Sequence, residues 1–362
     1  MLLLSMLFAL MPAWVEDTWA RLGPAVSSLL SHAAGHVAFS VAELLIGAFV
    51  ARQLVAATVA LADCARGRRG LRNAVACGGL RVLQDTGIVV AGFYLLWGFQ
   101  YARPSVESRF GWPVADGAPD DVLFELAAEM VDAANVAYLA IHGVVDAEEP
   151  TLLPDFARLD ASVEAGWRRA ARLLELHDAS AERAYGPAKR LVTSPLLDRL
   201  GLAGFFFPFT GEANVNAGVP AVAMGQVVAH EKAHQRGINP EDEANFFGFL
   251  AAALSPDALA RYSARVFAQR QLLVSLHARD PDRARELIER RLPGVQRDVD
   301  DLRAYWARHR GRSRAISQSV NDAFLKTNRV EGGIASYGRS VELMIAFARM
   351  RGGSLLRETP AR

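Results

Sequence analysis

Within His230-Glu231-Lys232-Ala233-His234, two histidines stand four positions apart with a glutamate between them, a pattern that implies a definite chemistry. On a helix both imidazoles project from one face, about one turn apart. Two ligands of a single Zn2+ ion need that separation, and Glu231 lies where it can reach a water beside the ion. A catalytic zinc takes a third protein ligand and keeps one position open. Glu241, Asp242 and Glu243 are the acids in reach, and no histidine follows closely behind His234. Glu241 is the first choice as third ligand and Glu243 the second. Asn245, one turn beyond Glu241 on the same face, offers an amide to hydrogen-bond a ligating imidazole. Asp242 points to another face and suits the dipole at a helix start. In this reading Glu231 takes a proton from water and later passes it to the leaving amine. A further donor should stabilise the oxyanion. Tyr337, in Gly332-Gly333-Ile334-Ala335-Ser336-Tyr337-Gly338, is the candidate, with Asn328 and Arg329 as others.

Several elements must position these side chains. Val219–Ala229 is apolar enough to bury the histidine helix in a core, and Gly237 stops that helix as a left-handed cap. Asn239 as N-cap and Pro240 at the first helical position start the next one, so a tight turn carries Glu241 back toward the histidines. Before the motif, residues 204–216 (GFFFPFTGEANVN) mix aromatic and β-branched residues with Gly, Pro and Asn. They predict a short edge strand and a turn beside the helix, with Gly211, Glu212, Asn214 and Asn216 at a substrate cleft; the alternative is an ordinary loop over the core. The rest reads as mainly α. Helices are expected over Asp121–Ile141, Leu159–His177 (with Arg168, Arg169 and Arg172 on its wet face) and Lys189–Leu202. After the motif they are expected over Glu241–Leu254, Pro256–His277, Pro281–Arg290, Val295–Arg308, Ser317–Asn328 and Ser336–Arg351. His142 and His177 each follow a helical run and read as end-of-helix residues.

A hydrophobic share of 51% with 22% charged residues and a mean hydropathy of +0.13 point to a few membrane helices joined to a folded domain. Spans are expected at about 37–61 and 74–99, with residues 1–13 as a partial span; a buried soluble hairpin is the alternative. Arg52 lies inside the first span, and Arg81 and Asp85, four apart, are expected to neutralise each other on one face of the second. Four arginines, Arg66, Arg68, Arg69 and Arg72, fill the connection and place it in the cytoplasm. The second span then runs outward to Tyr94, Trp97 and Tyr101, an interfacial belt. Residues 1–103 thus form a multi-pass anchor in the inner membrane, and 104–362 a domain on the exoplasmic or periplasmic side. The net charge of +1 gives no argument for nucleic acid, and two cysteines, Cys64 and Cys77, make no disulfide framework. The partners this implies are the lipid bilayer and a peptide or protein substrate.

PFTGEANVN at 208–216, AHEKAHQRGINPEDEANFFGFLA at 229–251, WGFQYARP at 97–104 and NDAFLKTNRVEGGIASYG at 321–338 resemble the membrane protein family catalogued as domain of unknown function 3810. The resemblance covers most of the chain. It implies a membrane-anchored, α-rich zincin-like domain, in which the Glu-x-x-Ala-Asn at 241–245 is similar to the Glu-x-x-Ala-Asp of membrane zinc peptidases. It supplies no substrate. The expectation is a zinc metallopeptidase; the alternatives are a protein whose zinc does no chemistry and hydrolysis of a non-peptide amide.

Overall fold

A computed structural model describes residues 10–113, 118–153, 155–174, 183–311, 314–315, 318–319 and 339–356. Its helices follow stretches of good helix formers and break where caps, glycines and prolines favour a stop. The first three are α1 (Pro12–Gly35), α2 (Val41–Ala65) and α3 (Leu71–Leu96). A 3-10 turn over Gly98–Ala102 and the short α4 (Val106–Phe110) lead to α5 (Asp120–His142) and α6 (Phe156–Leu173). A small sheet follows, from β1 (Lys189–Leu191), α7 (Ser194–Leu200), β2 (Gly204–Phe207) and β3 (Glu212–Asn216). Then come α8 (Ala221–Gln235), α9 (Glu241–Ala253), α10 (Ala258–His277), α11 (Pro281–Glu289), α12 (Pro293–Arg308) and α13 (Arg339–Met350).

The core sits around α8, α9 and α10, with α5, α6 and α13 packed outside them. Met224, Val228, Phe246, Phe249 and Leu272 are wholly buried there. Burial on nearly all sides explains why α8 and α9 show little amphipathic patterning. By contrast α6 is strongly two-sided and lays Leu159, Val163 and Trp167 on the core. Asp155, Asp257 and Asp280 cap α6, α10 and α11, each accepting a hydrogen bond from the backbone N–H three residues on. Pro256 therefore precedes the α10 cap and is not the first helical residue.

Residues Lys189–Leu202, expected as one helix, divide into β1 and α7. Lys189–Leu191 pair in parallel with Asn214–Asn216, and the Ser194-Pro195 pair starts a new helix. The sheet order is β1-β3-β2, with β2 antiparallel to β3. The segment 204–216 is thus a hairpin in which β2 is the edge strand and β3 the central one.

Helices α2 and α3 are long and apolar enough to cross a membrane. Their large side chains face outward, among them Leu45, Phe49, Val55, Leu80, Leu83 and Ile88. Asp85 pairs across the hairpin with Arg52 at 3.1 Å and accepts from Gln53 at 2.6 Å, so the Arg81 pairing expected within α3 is replaced by one between helices. Both open ends of the hairpin lock into the rest of the fold. At the α2 start, the Glu212 carboxylate on β3 accepts from Val41 N and Ala42 N, and Ser40 Oγ donates to Asn214 Oδ1. Glu43 accepts from the backbone N–H groups of Val192 and Thr193. At the α3 end, the Trp97 carbonyl accepts from Asn239 Nδ2 at 2.7 Å.

Candidate metal centre

Helix α8 carries His230 and His234 on one face, with ring centroids 4.8 Å apart and planes nearly perpendicular. It ends in a Schellman motif: Ile238 N donates to Ala233 O, Gly237 N to His234 O, and Gly237 has φ +73°. A side chain there would be strained, which accounts for the glycine. Pro240 occupies the α9 N-cap position, and the Asn239 side chain, expected to cap α9, reaches Trp97 at the end of the apolar hairpin instead. The turn delivers Glu241 at the first position of α9. Glu241 Oε2 lies 3.2 Å from His230 Nε2, and Oε1 lies 3.6 Å from His234 Nε2.

These three groups fit a tetrahedral Zn2+ site. One ligand atom from each falls within 4.8 Å of the others. Ligands about 2.0–2.1 Å from a zinc ion stand about 3.3 Å apart along a tetrahedron edge, close to both His–Glu distances. The donor set of two imidazoles and a carboxylate is that of a catalytic zinc with an open fourth position. His234 Nδ1 bonds the Ile238 carbonyl at 2.8 Å, which fixes its proton there and leaves Nε2 free. Burial holds His234 in the neutral, ligating form, with a pKa pushed down to about 4. Burial acts the same way on His230, but Glu241, Glu231 and a hydrogen bond with Asn245 outweigh it and raise that pKa. Trp97 meets the His234 ring edge-on at 5.6 Å, so the end of α3 forms part of the site.

Glu231 stands on the same wall. It is buried, its Oε2 has no hydrogen-bond partner among the described residues, and burial, assisted by Glu241, pushes its pKa up to about 8. An orphaned carboxyl oxygen beside two imidazoles is expensive to keep unless something charged or polar comes to it. Gly204 of β2 lies against it: a Cβ there would stand 2.7 Å from Glu231 Oε1 and 2.6 Å from the Asn214 carbonyl. Only glycine lets the edge strand pass this close. A cleft of about 970 Å3 opens over His230, Glu231, His234, Glu241 and Asn245, walled by residues of β2, α8 and α10 and by Trp97 and Trp306.

The other candidates separate from this centre. Glu243 faces away, accepting from Val106 N at 3.2 Å and pairing with Arg109, so it serves the start of α4. The expected cleft residues Gly211, Glu212, Asn214 and Asn216 do not line the cleft. Gly211 packs on Ser27 and Ser31 of α1, and Glu212 and Asn214 hold α2. Asn216 donates to Asp198 and to Tyr305 Oη. The cleft strand is β2, whose residues Gly204, Phe205 and Phe206 line it. Tyr337, Asn328 and Arg329 lie outside the described residues, as do His177 and most of Ser317–Asn328.

The reverse side of α8 held an unexpected network. Lys232, wholly buried, reaches Glu164 at 3.0 Å and Asp160 at 3.2 Å, and Arg236 pairs with Glu164 between the rings of Trp167 and Tyr185. The signal available beforehand was Asp160 and Glu164 spaced four apart on α6, the same interval as Lys232 and Arg236.

Searches of curated proteins and of solved structures returned no match. A family model does match, over residues 20–345, and it spans the apolar α2–α3 hairpin, the sheet, the histidine helix and most of α13. The chain belongs to the family described as Protein of unknown function (DUF3810).

Proposed function

We propose that this protein is a membrane-anchored zinc metallopeptidase that hydrolyses peptide bonds on the exoplasmic face of the inner membrane. One observation carries the reading: three ligand atoms converge beside a buried carboxyl group whose Oε2 lacks a partner among the described residues, all on one wall of a large cleft. A structural zinc is enclosed by four protein ligands and has no use for such a cleft. A zinc ion bound by His230, His234 and Glu241 supplies Lewis acidity, lowering the pKa of water toward about 7 and polarising a carbonyl. With the positive charge of the ion offsetting the burial that raises its pKa, Glu231 would be ionised, receive the proton of the attacking water and return it to the leaving amine nitrogen. Asn245 and the Ile238 carbonyl orient the two imidazoles. The outer edge of β2, unpaired among the described residues, offers backbone groups to an extended peptide, which would lie over Glu231 as an added strand.

The membrane hairpin supports the location. A soluble core helix buries its apolar residues, whereas the most apolar window of α2 is not buried at all and that of α3 only 11%. At 1.5 Å per residue each helix runs about 38 Å, enough for the roughly 30 Å hydrocarbon layer. Since both open ends of the hairpin meet the catalytic domain, the arginine-bearing connection at 66–72 lies at the far end. Arginines there favour the cytoplasmic side, which leaves the centre on the other.

Glu231→Gln should keep zinc bound while lowering hydrolysis of a fluorogenic peptide library by about 10²–10⁴-fold. Zinc retained with undiminished hydrolysis would overturn the catalytic assignment.

A further inference from the structure

One wall of the cleft continues into a second cavity of about 430 Å3. Phe267 and Arg270 of α10 border both spaces, and the smaller one is lined besides by Arg291 and by Arg303 of α12. Three arginines from separate parts of the chain therefore line this smaller cavity, and Arg270 borders the cleft as well. Several sequestered arginines elsewhere have a carboxylate: Arg103 has Glu16, Arg109 has Glu243 and Arg236 has Glu164. Arg270 has no hydrogen bond or ion pair among the described residues. Arg291, 7% exposed, is held by two neutral amide oxygens, Gln269 Oε1 at 2.9 Å and Gln296 Oε1 at 3.0 Å. Arg303 meets Asp300 at 3.1 Å near the surface. The like charges oppose one another: burial lowers the pKa of Arg270 and of Arg291, and Arg303 lowers both further. Three clustered cations facing one carboxylate leave an excess of positive charge, and guanidinium groups bind carboxylate and phosphate through paired N–H donors.

We propose that Arg270, Arg291 and Arg303 form a subsite for an oxyanion carried by the molecule that occupies the cleft. The substrate class this specifies is an apolar chain bearing a negative group, since the cleft between the subsite and Glu231 is walled by Val222, Val227, Val266, Phe267 and Trp306. The inference builds on the reading of the cleft as a peptide site, and it names the end group that such a peptide presents. Two sources share the chemistry, a C-terminal carboxylate and a phosphate.

Binding to the full-length, detergent-solubilised Glu231→Gln protein tests this without turnover. Fluorescein-labelled hexapeptides of one apolar sequence would be compared by anisotropy in three forms: free C-terminal carboxylate, C-terminal amide, and amide with a terminal phosphoserine. The expected result is that one or both charged forms bind about tenfold or more tightly than the plain amide. Preference for the acid identifies a carboxylate subsite, and preference for the phosphopeptide a phosphate subsite. Arg270→Gln in the same background should bring the three forms within about twofold, while Arg270→Lys keeps part of the preference. If Arg270→Gln does not fold, Arg303→Gln supplies the same comparison with a smaller loss. Equal binding of all three forms, no binding of any, or a preference unchanged by the substitution that folds overturns the subsite. Zinc content and hydrolysis are read separately on the wild type, so the subsite can fail while the peptidase reading stands, and the reverse.

Discussion

The two sides of α8 make opposite use of charged residues. On the reverse side, Lys232 and Arg236 are buried against Asp160 and Glu164, so two cations face two anions. On the cleft side, His230, Glu231, His234 and Glu241 crowd together with two carboxyl groups and, among the described residues, no strong cation and one orphaned oxygen. The first cluster is complete as it stands and holds α8 to α6. The second is incomplete, and a dication is what would balance it. The charged and titratable residues of α8 and its C-cap thus divide between a side that is already paired and a side that faces the cleft.

Removing an anion from the complete side should produce the largest loss of stability. Glu164→Gln strands the buried Arg236 and leaves Lys232 with Asp160 alone, and breaking a buried pair of this kind costs about 3–5 kcal/mol. Chemical denaturation should register that loss even with zinc present; an unchanged midpoint would show that the network contributes nothing. Acid probes the same side more gently. Burial opposes the charge on Glu164, but Arg236 and Lys232 outweigh it and hold its pKa down at about 2, below the ordinary 4.5. A depressed carboxyl pKa contributes stability that is full above about pH 4.5 and is lost as pH falls through about 2. For this shift the contribution is about 3 kcal/mol. Stability of Glu164→Gln should therefore fall less steeply than that of the wild type between pH 4.5 and 2. On the incomplete side, Gly204→Ala forces a methyl group against Glu231 and the Asn214 carbonyl. The strain should cost about 1–3 kcal/mol and impair hydrolysis while zinc stays bound, a combination that activity and metal assays on one preparation would reveal.

The cleft side was legible from residue spacing because its geometry is local. Two histidines at i and i+4 share a helix face, and Gly237 and Pro240 force the turn that returns Glu241 within eleven residues. The reverse side was hidden because its partners lie some seventy positions away: Glu164 sits on α6, whose polar residues read as a solvated face. The same limit applies to β1, three residues whose strand character comes from pairing with Asn214–Asn216 and not from their own sequence. Asn239 has the composition of a helix cap, yet Trp97 at the end of the apolar hairpin outcompetes the helix for its amide. Asp85 likewise found Arg52 on the neighbouring helix in place of Arg81 on its own. In each case a short-range rule named the right residue type and a distant partner changed its role.

Whether the incomplete side holds a metal is decided most directly by zinc content. Full-length wild type and His230→Ala, purified identically and checked for equal folding by thermal unfolding, would be analysed by elemental mass spectrometry. About one zinc per chain in the wild type and a small fraction of that in His230→Ala is the expected result. Equal zinc in both proteins, or none in the folded wild type after exposure to the metal, would contradict the assignment of the centre.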